Sequence, residues 1–341
     1  MSAATLRADS VLVTGATGFV GGHLVDRLID QGVRPRLLVR DPGRLRPAWQ
    51  DRAEVIVGDL TDPRSLAPAV SDVSVVFHCA ADVRTWGKAQ EYEAVNVHGV
   101  RHLLAAIAAQ PSLPQRFVHL STVDVYGFPQ TPCDERCTLR PPGFGYGDSK
   151  LRGEELLRQT AQRMRLPYTV LRPTNVMGPG SPFIARVGRE LQHGLMLRVS
   201  GGRADAGYLD VNNLVDVMLW AAQAPQAQNA VFNVADPRPI SWRQFLDDLR
   251  RGLAGRGWII DLPYPVAELA AALIEMPYRL LRTSQEPLLH RLIVRIFGRT
   301  CGHSAARLIA AGGPVGRISY EESIAASVRW FRAQQTGLGA A

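Results

Sequence analysis

Tyr146 and Lys150 stand four residues apart in Tyr146-Gly147-Asp148-Ser149-Lys150. That spacing puts a phenol and an ammonium on one face of a helix. A positive charge beside a phenol lowers its pKa and makes it a usable acid or base nearer neutral pH. Lysine is scarce here: Lys88 and Lys150 are the only two among 39 Lys and Arg residues. A compact ammonium at this place is therefore informative, since arginine is bulkier and its fork has a different geometry. Upstream, Ser121-Thr122 follows an apolar run and offers a hydroxyl to hold a carbonyl oxygen. Either hydroxyl would equally cap a turn, and a Tyr/Lys spacing alone also describes a surface pair. Taken together, these groups support proton transfer at a carbonyl or alcohol oxygen.

A second set of residues could hold an anion. Gly15-x-x-Gly18-x-x-Gly21 closes the run Val11-Leu12-Val13 and opens a segment with Leu24, Val25 and Leu28 at helical spacing. Glycines in that context permit a tight turn and close approach of a pyrophosphate, while the helix N-terminus presents free N–H groups. Gly15, Thr17, Gly18, Phe19 and Val20 are the candidate contacts of a dinucleotide. The next strand ends in Arg40, followed by Asp41 and, a turn later, Arg44. A guanidinium there suits a 2′-phosphate and favours NADP(H) over NAD(H); the alternative is a solvated Arg40 with Asp41 on the ribose. Asp59-Leu60, after the third strand, is placed to contact adenine, though Asp62 nearby is an equally natural helix cap.

The elements that must position these groups alternate. Apolar runs at 11–13, 36–39, 55–57, 73–77, 116–120, 168–171 and 231–234 read as strands, and 91–109, 146–164 and 210–222 as helices. Buried, non-alternating strands separated by helices predict an α/β fold: a Rossmann-type doubly wound parallel sheet. Residues 1–172 form the dinucleotide-binding part, with 206–234 returning to it. Residues 173–205 and 235–335 form a smaller, mainly helical substrate lobe over the carboxyl edge of the sheet, where ligands of open α/β folds sit. The most apolar stretch, Val266 to Gly298, is interrupted by Glu268, Glu275, Arg279, Arg282 and Glu286. No run approaches the ~18 uncharged residues of a membrane span. The stretch reads as a substrate lid, as ordinary core, or as a membrane-surface contact.

Composition bounds the rest. With 341 residues, 46% hydrophobic and 21% charged, the chain is neither disordered nor a disulfide scaffold. The four cysteines offer one close pair, Cys133 and Cys137, without the second pair a metal site needs, so no metal is expected. A net charge of +8 raises nucleic acid as a partner, but the arginines are scattered and no basic block is interleaved with aromatics. No nucleic-acid partner is expected. The first ten residues show no secretory pattern, and a cytoplasmic enzyme is the expectation.

Set in order, the motifs resemble an extended short-chain dehydrogenase/reductase along nearly the whole chain. Thr14 to Gly21 matches the family's Thr-Gly-x-x-Gly-Phe-x-Gly, Asp59-Leu60 its adenine-side acid, and His78-Cys79-Ala80-Ala81 its loop after the fourth strand. Asn96-Val97-x-Gly99, Val125-Tyr126-Gly127, the Tyr146/Lys150 pair and Arg172-Pro173-x-x-Val176-x-Gly178-Pro179 match further family elements. The resemblance implies cofactor contacts from Ala80, Ala81, Tyr146, Lys150, Pro173 and Val176. It also implies Thr122, ahead of Ser121, as the catalytic hydroxyl.

Val83-Arg84-Thr85-Trp86-Gly87 and the tail resemble the branch of 3β-hydroxysteroid dehydrogenases and 2-alkyl-3-oxoalkanoate reductases, which implies a small hydrophobic alcohol or ketone as substrate. Cys301-Gly302-His303 departs from that branch, where relatives often carry an aromatic and an acid. Trp86, Asn175 and Tyr208 are the substrate-side candidates, with Trp86 equally readable as core. In the implied reaction Tyr146 is general acid/base, Thr122 holds the substrate oxygen, and Lys150 binds the nicotinamide ribose and depresses the Tyr146 pKa. A homodimer through the 91–109 and 146–164 helices is the implied assembly. Two other readings stay open: a nucleotide-sugar epimerase or dehydratase sharing the fold and the pair, with Asp124 near the catalytic hydroxyl, and a non-catalytic NAD(P)-binding partner protein.

Overall fold

The computed structural model describes residues 10–129, 131–281, 283, 285–299 and 302–337. Six strands of the first half, β1 (Val11–Thr14), β2 (Arg36–Val39), β3 (Glu54–Val57), β4 (Val75–His78), β5 (Arg116–Leu120) and β6 (Tyr168–Pro173), lie in one sheet. β7 (Asn175–Met177), β8 (Leu195–Val199) and β9 (Tyr208–Asp210) lie outside it, and β10 (Ala230–Val234) returns beside β6. β11 (Trp258–Leu262) is again outside. The sheet order is β10-β6-β5-β4-β1-β2-β3, with every pairing parallel. The order reverses between β1 and β4, so a crevice opens at their carboxyl ends.

Helices cover both faces, as parallel strands require. The first half contributes α1 (Phe19–Asp30), α2 (Ala67–Val70), α3 (Ala89–Glu93), α4 (Gly99–Ala108) and α5 (Gly145–Met164). Later come α6 (Pro182–His193), α7 (Val211–Gln223), α8 (Trp242–Gly252), α9 (Tyr264–Leu280), α10 (Arg291–Gly298), α11 (Ala306–Ala310) and α12 (Tyr320–Gln335). On one face Leu24 and Leu28 of α1 and Leu214 and Met218 of α7 pack with Val13, Phe77 and Phe232 of the sheet. On the other, Leu103, Leu104 and Ile107 of α4 and Leu157 and Ala161 of α5 pack with Leu12, Val76 and Phe117.

A separate core lies in the second half, where Trp242, Phe245 and Phe297 cluster with Ile184, Leu191 and Tyr208; the Trp242 and Phe297 rings stack at 4.2 Å. In the sequence, Ser241 to Phe331 reads as mostly helical, and Pro173, Pro179 and Pro182 as punctuating a loop. The structure has α6 there, N-capped by Ser181, and two short parallel pairs, β7 with β9 and β8 with β11. Strands of three to five residues alongside prolines leave too little periodicity to read. Cys133 and Cys137, unassigned above, are joined by a disulfide. No helix among the described residues is long and apolar enough to cross a membrane.

One buried network joins the elements that meet at the active end. Glu154 of α5 accepts from Arg172 of β6, whose Nε donates at 3.0 Å and whose Nη2 donates to the second carboxylate oxygen. Ser121, just past β5, donates to Glu154 Oε2 at 2.7 Å. Arg172 Nη1 donates to the Tyr126 hydroxyl at 2.7 Å, which donates in turn to Asn233 Oδ1 of β10 at 2.7 Å. Both charged side chains are almost fully buried. Glu154→Ala would leave the guanidinium of Arg172 unpaired inside the protein, so a loss of about 3–5 kcal/mol of stability is expected in urea unfolding. A loss below about 1 kcal/mol would mean that this pair does not hold the elements together.

Candidate active site

The glycine turn is built by close contact. Gly15 has φ +71°, and a Cβ there would sit 2.6 Å from the Ala80 nitrogen; a Cβ on Gly21 would sit 2.1 Å from the Gly15 carbonyl oxygen. Only glycine lets β1, α1 and the loop after β4 meet this tightly. Thr14 Oγ1 fastens the same junction, 2.8 Å from His78 Nδ1 and accepting the Ala80 N–H at 3.3 Å. Gly18 caps α1 without any side-chain hydrogen bond, and Thr17, Phe19 and Val20 line the turn half-exposed. Above it, His23 Nε2 donates to the Pro179 carbonyl at 2.8 Å, tying the loop beyond Pro173 and Val176 to the start of α1. Ala80 and Ala81 are half-buried beside the turn. A cradle that any Cβ would fill, at a helix N-terminus, fits the pyrophosphate of a dinucleotide.

Arg40 is exposed at the end of β2, and its charge reaches Asp82 beyond Ala81. The Asp41 carboxylate accepts the Gly43 N–H at 2.9 Å and caps the following turn. Asp59 is also used locally, accepting the Thr61 N–H and hydroxyl at 2.8 and 2.9 Å, while Leu60 is buried under Gly99. Asp62 caps its own short helix.

Tyr146 and Lys150 sit in the first turns of α5, held from three sides. Asn96, in the π-helical stretch Ala94–His98, donates to Ser149 Oγ at 2.9 Å and accepts the Asp82 N–H at 2.8 Å. Ser149 donates to the Tyr146 carbonyl at 2.7 Å. A Cβ on Gly153 would stand 2.2 Å from the Asn96 carbonyl, so glycine sets the approach of α5 to that stretch. Thr122 lies close enough to the Tyr146 phenol to lower its pKa. Thr122 also caps the short helix after β5, accepting the Asp124 N–H at 3.2 Å. Of the two candidate hydroxyls, Ser121 is turned away into the Glu154 network.

Lys150 is buried, its Nζ donating to the Leu120 carbonyl at 2.5 Å, and burial pulls its pKa down to about 8. The same burial, helped by the Lys150 charge, holds His78 down at about 3 and His119 well below the usual range; their rings stack at 5.3 Å. Both histidines are therefore neutral at physiological pH. The expected depression of the Tyr146 pKa by Lys150 is not what the structure shows. Burial, then the negative charge of Asp124, push the phenol above its ordinary value, and the neighbouring Thr122 offsets this only in part. Asp124 is itself raised to about 6 by burial.

Two cavities are lined by sequence neighbours of this centre, one by Gly145 before Tyr146 and the other by Val123 and Asp124 after Thr122. The larger, about 670 Å³, is lined by Trp86, Tyr92, Phe144, Tyr278, Arg279 and His290 among others. Trp86 is fixed there by its indole N–H, which donates to the Thr283 carbonyl at 3.2 Å, so it is cavity wall rather than core. Glu286 closes that side, accepting from Thr85 at 2.7 Å, Arg186 at 3.2 Å and His290 at 3.0 Å. The smaller cavity, about 30 Å³, has Asp124, Phe128, Asn175, Asp205 and His303 in its walls, and Asn175 donates to the Ala206 carbonyl at 2.7 Å.

Tyr208 is a correction. It is buried, its hydroxyl is 2.7 Å from Ser323 Oγ and its ring packs edge-on to Tyr320, so it belongs to the core of the second half and not to a substrate wall. Glu154 and Glu286 escaped sequence reading because single carboxylates carry no spacing signal. Cys301 and Arg282 lie outside the described residues.

Comparison with known proteins accounts for this combination. Residues 11–235 match the model of the NAD dependent epimerase/dehydratase family, and the chain belongs to that family. It is an oxidoreductase of the NAD-dependent epimerase/dehydratase superfamily and binds NAD(P). It is 28% identical to a 4-hydroxy-2-methyl-3-oxo-4-farnesyl-3,4-dihydroquinoline-1-oxide ketoreductase of Stigmatella aurantiaca, over 92% of this chain and 93% of that one. It is 26% identical to a 2-alkyl-3-oxoalkanoate reductase of Stenotrophomonas maltophilia, over 92% and 97%. A UDP-glucuronic acid 4-epimerase of Bacillus cereus, solved in complex with NAD, shares the fold with a TM-score of 0.74 at 19% identity, over 96% and 98%.

Two measurements test this geometry. Gly15→Ala should weaken NAD(P)H binding at least about tenfold in a fluorescence titration, because the turn must open to admit the methyl. The depressed Lys150 pKa means that the unfolded chain binds more protons between pH about 8 and 10.5, so this residue's penalty on stability fades as pH rises through that window. Lys150→Met should thus be more stable than the parent at pH 7, by about 3 kcal/mol at most, with the gap closing toward pH 10. A gap independent of pH in urea unfolding would overturn the assignment.

Proposed function

We propose that the protein is an NADP(H)-preferring oxidoreductase that interconverts a ketone and a secondary alcohol on a hydrophobic substrate. The observation that carries the reading is that Thr122, just past β5, lies close enough to Tyr146 in the first turn of α5 to act on its phenol. Tyr146 is protonated at neutral pH, the form that donates to a ketone oxygen, while its raised pKa makes it a weaker acid than a free tyrosine. Tyr146 gives its proton to the carbonyl oxygen, and Thr122 holds that oxygen and offsets its developing negative charge. A bound reduced nicotinamide supplies the hydride to the carbonyl carbon. Lys150, in reach of the same end of α5, binds the nicotinamide ribose. In oxidation the phenolate takes the proton back.

The aromatic wall of Trp86, Tyr92, Phe144 and Tyr278 supports an apolar substrate, as do the ketoreductase and oxoalkanoate reductase relatives. NADP(H) is supported by exposed Arg40 and Arg44 where a 2′-phosphate would lie, with the Asp41 carboxylate already capping a turn. A homodimer through α4 and α5 is proposed with it.

The nucleotide-sugar epimerase reading has one observation in its favour, the acid Asp124 next to the catalytic hydroxyl. Against it, Arg186, a candidate for the diphosphate, is engaged by Glu190 and Glu286. Cofactor titration separates the two. Tight NADPH and weak NADH binding, with Arg40→Glu losing NADPH at least about tenfold and NADH little, is expected. Cofactor retained through purification would sink the reductase reading and favour the epimerase. Tyr146→Phe should bind cofactor normally while turnover falls about 10²–10⁴-fold in a ketone-reduction assay. Unchanged turnover would remove Tyr146 from the chemistry.

A further inference from the structure

Helix α9 is built inside out for a helix facing water. Its buried positions are Ala267, Ala271 and Glu275, two small residues and a carboxylate. Its exposed stripe is Val266, Leu269, Leu273, Met276 and Leu280, recurring at three- and four-residue steps along the whole helix. A water-facing helix ordinarily shows the opposite arrangement. The apolar surface continues past both ends. Leu281 is 79% and Leu288 87% exposed, and β11, which runs directly into α9, exposes Trp258 at 79% together with Ile260. An exposed apolar stripe of this length, with further exposed apolar residues on the segments at both its ends, marks a surface that something apolar covers.

The charges around it select the partner. Between 256 and 299 the chain has six arginines and four carboxylates. All four carboxylates are ion-paired: Asp261 with Arg198, Glu268 with Arg295, Glu275 with Arg279 and Arg291, and Glu286 with Arg186. Arg279, Arg291 and Arg295 are taken up in these pairs, while Arg256 and Arg299 are exposed, and the whole chain carries +8. An apolar stripe about 25 Å long, with exposed Arg256, Trp258 and Arg299 toward its N-terminal end, matches the boundary of an anionic bilayer. The large cavity supports the same partner: Tyr278 and Arg279 of the last turn of α9, with Thr283 and His290 beyond it, form one side of its wall. An apolar molecule leaving the bilayer along α9 would arrive at the Trp86 side of that cavity.

We propose that α9 and the segments flanking it dock the protein on the surface of an anionic membrane, with the helix lying in the interface and the cavity opening beside it. The test is co-sedimentation of the full-length protein with phosphatidylcholine vesicles, with and without phosphatidylglycerol. Binding to the anionic vesicles that weakens with salt is expected, and a Leu273→Glu/Leu280→Glu double variant should lose at least about tenfold in partitioning. Val57→Glu, an equally exposed site on the edge strand β3, should bind vesicles like the parent. Retained NADPH binding shows that each variant is folded. No binding by the parent protein, equal binding to neutral vesicles, or binding indifferent to the double variant would overturn the proposal. So would an ultracentrifuge result in which the parent is a dimer and the double variant a monomer, since a second copy would then cover the stripe.

Discussion

The buried pair of Glu154 and Arg172 is the interaction on which the active end depends. A guanidinium and a carboxylate removed from water are tolerated only when each satisfies the other and the leftover donors find partners. Here the leftovers are Ser121, Tyr126 and Asn233, so the requirement extends to β5, the short helix after it, β6, β10 and α5 at once. Such a network stabilises by geometry more than by net energy, because none of these elements can slide without stranding a charge. Its effect on chemistry is indirect and specific. With Ser121 committed to Glu154, Thr122 is the hydroxyl that meets Tyr146.

Burial then determines the protonation of everything nearby. Lys150, His78, His119 and Asp124 are each moved toward their neutral form, and Tyr146 is kept in the form it already favours. The common cause is desolvation. A pocket that discourages charge at rest concentrates the effect of whatever charge develops during reaction, since the local dielectric is low. In the proposed reaction Thr122 is the group that meets it.

The second half of the chain has a different logic. Its aromatic core around Trp242, Phe245 and Phe297 is self-contained, yet α9 and the loop beyond it turn leucines outward and bury alanines. The same helix supplies a wall of the large cavity. This surface is joined across the cavity to the Rossmann half by the contacts of Thr85 and Trp86 with Glu286 and Thr283, so under the proposed docking apolar access and apolar capture are parts of one surface.

The parallel sheet, the glycine turn and the helix that carries Tyr146 and Lys150 were legible from the chain alone, because each rests on short-range rules: strand runs of buried residues, glycines where a Cβ cannot fit, and helical spacing. Tertiary structure decided what no local rule encodes. It bonded Ser121 to Glu154, sent Tyr208 into the core against Ser323 and Tyr320, and paired β8 with β11 across 58 intervening residues. It also reversed the expected shift of Tyr146, because desolvation is a property of every atom packed around a group and has no signature in the residues beside it in the chain.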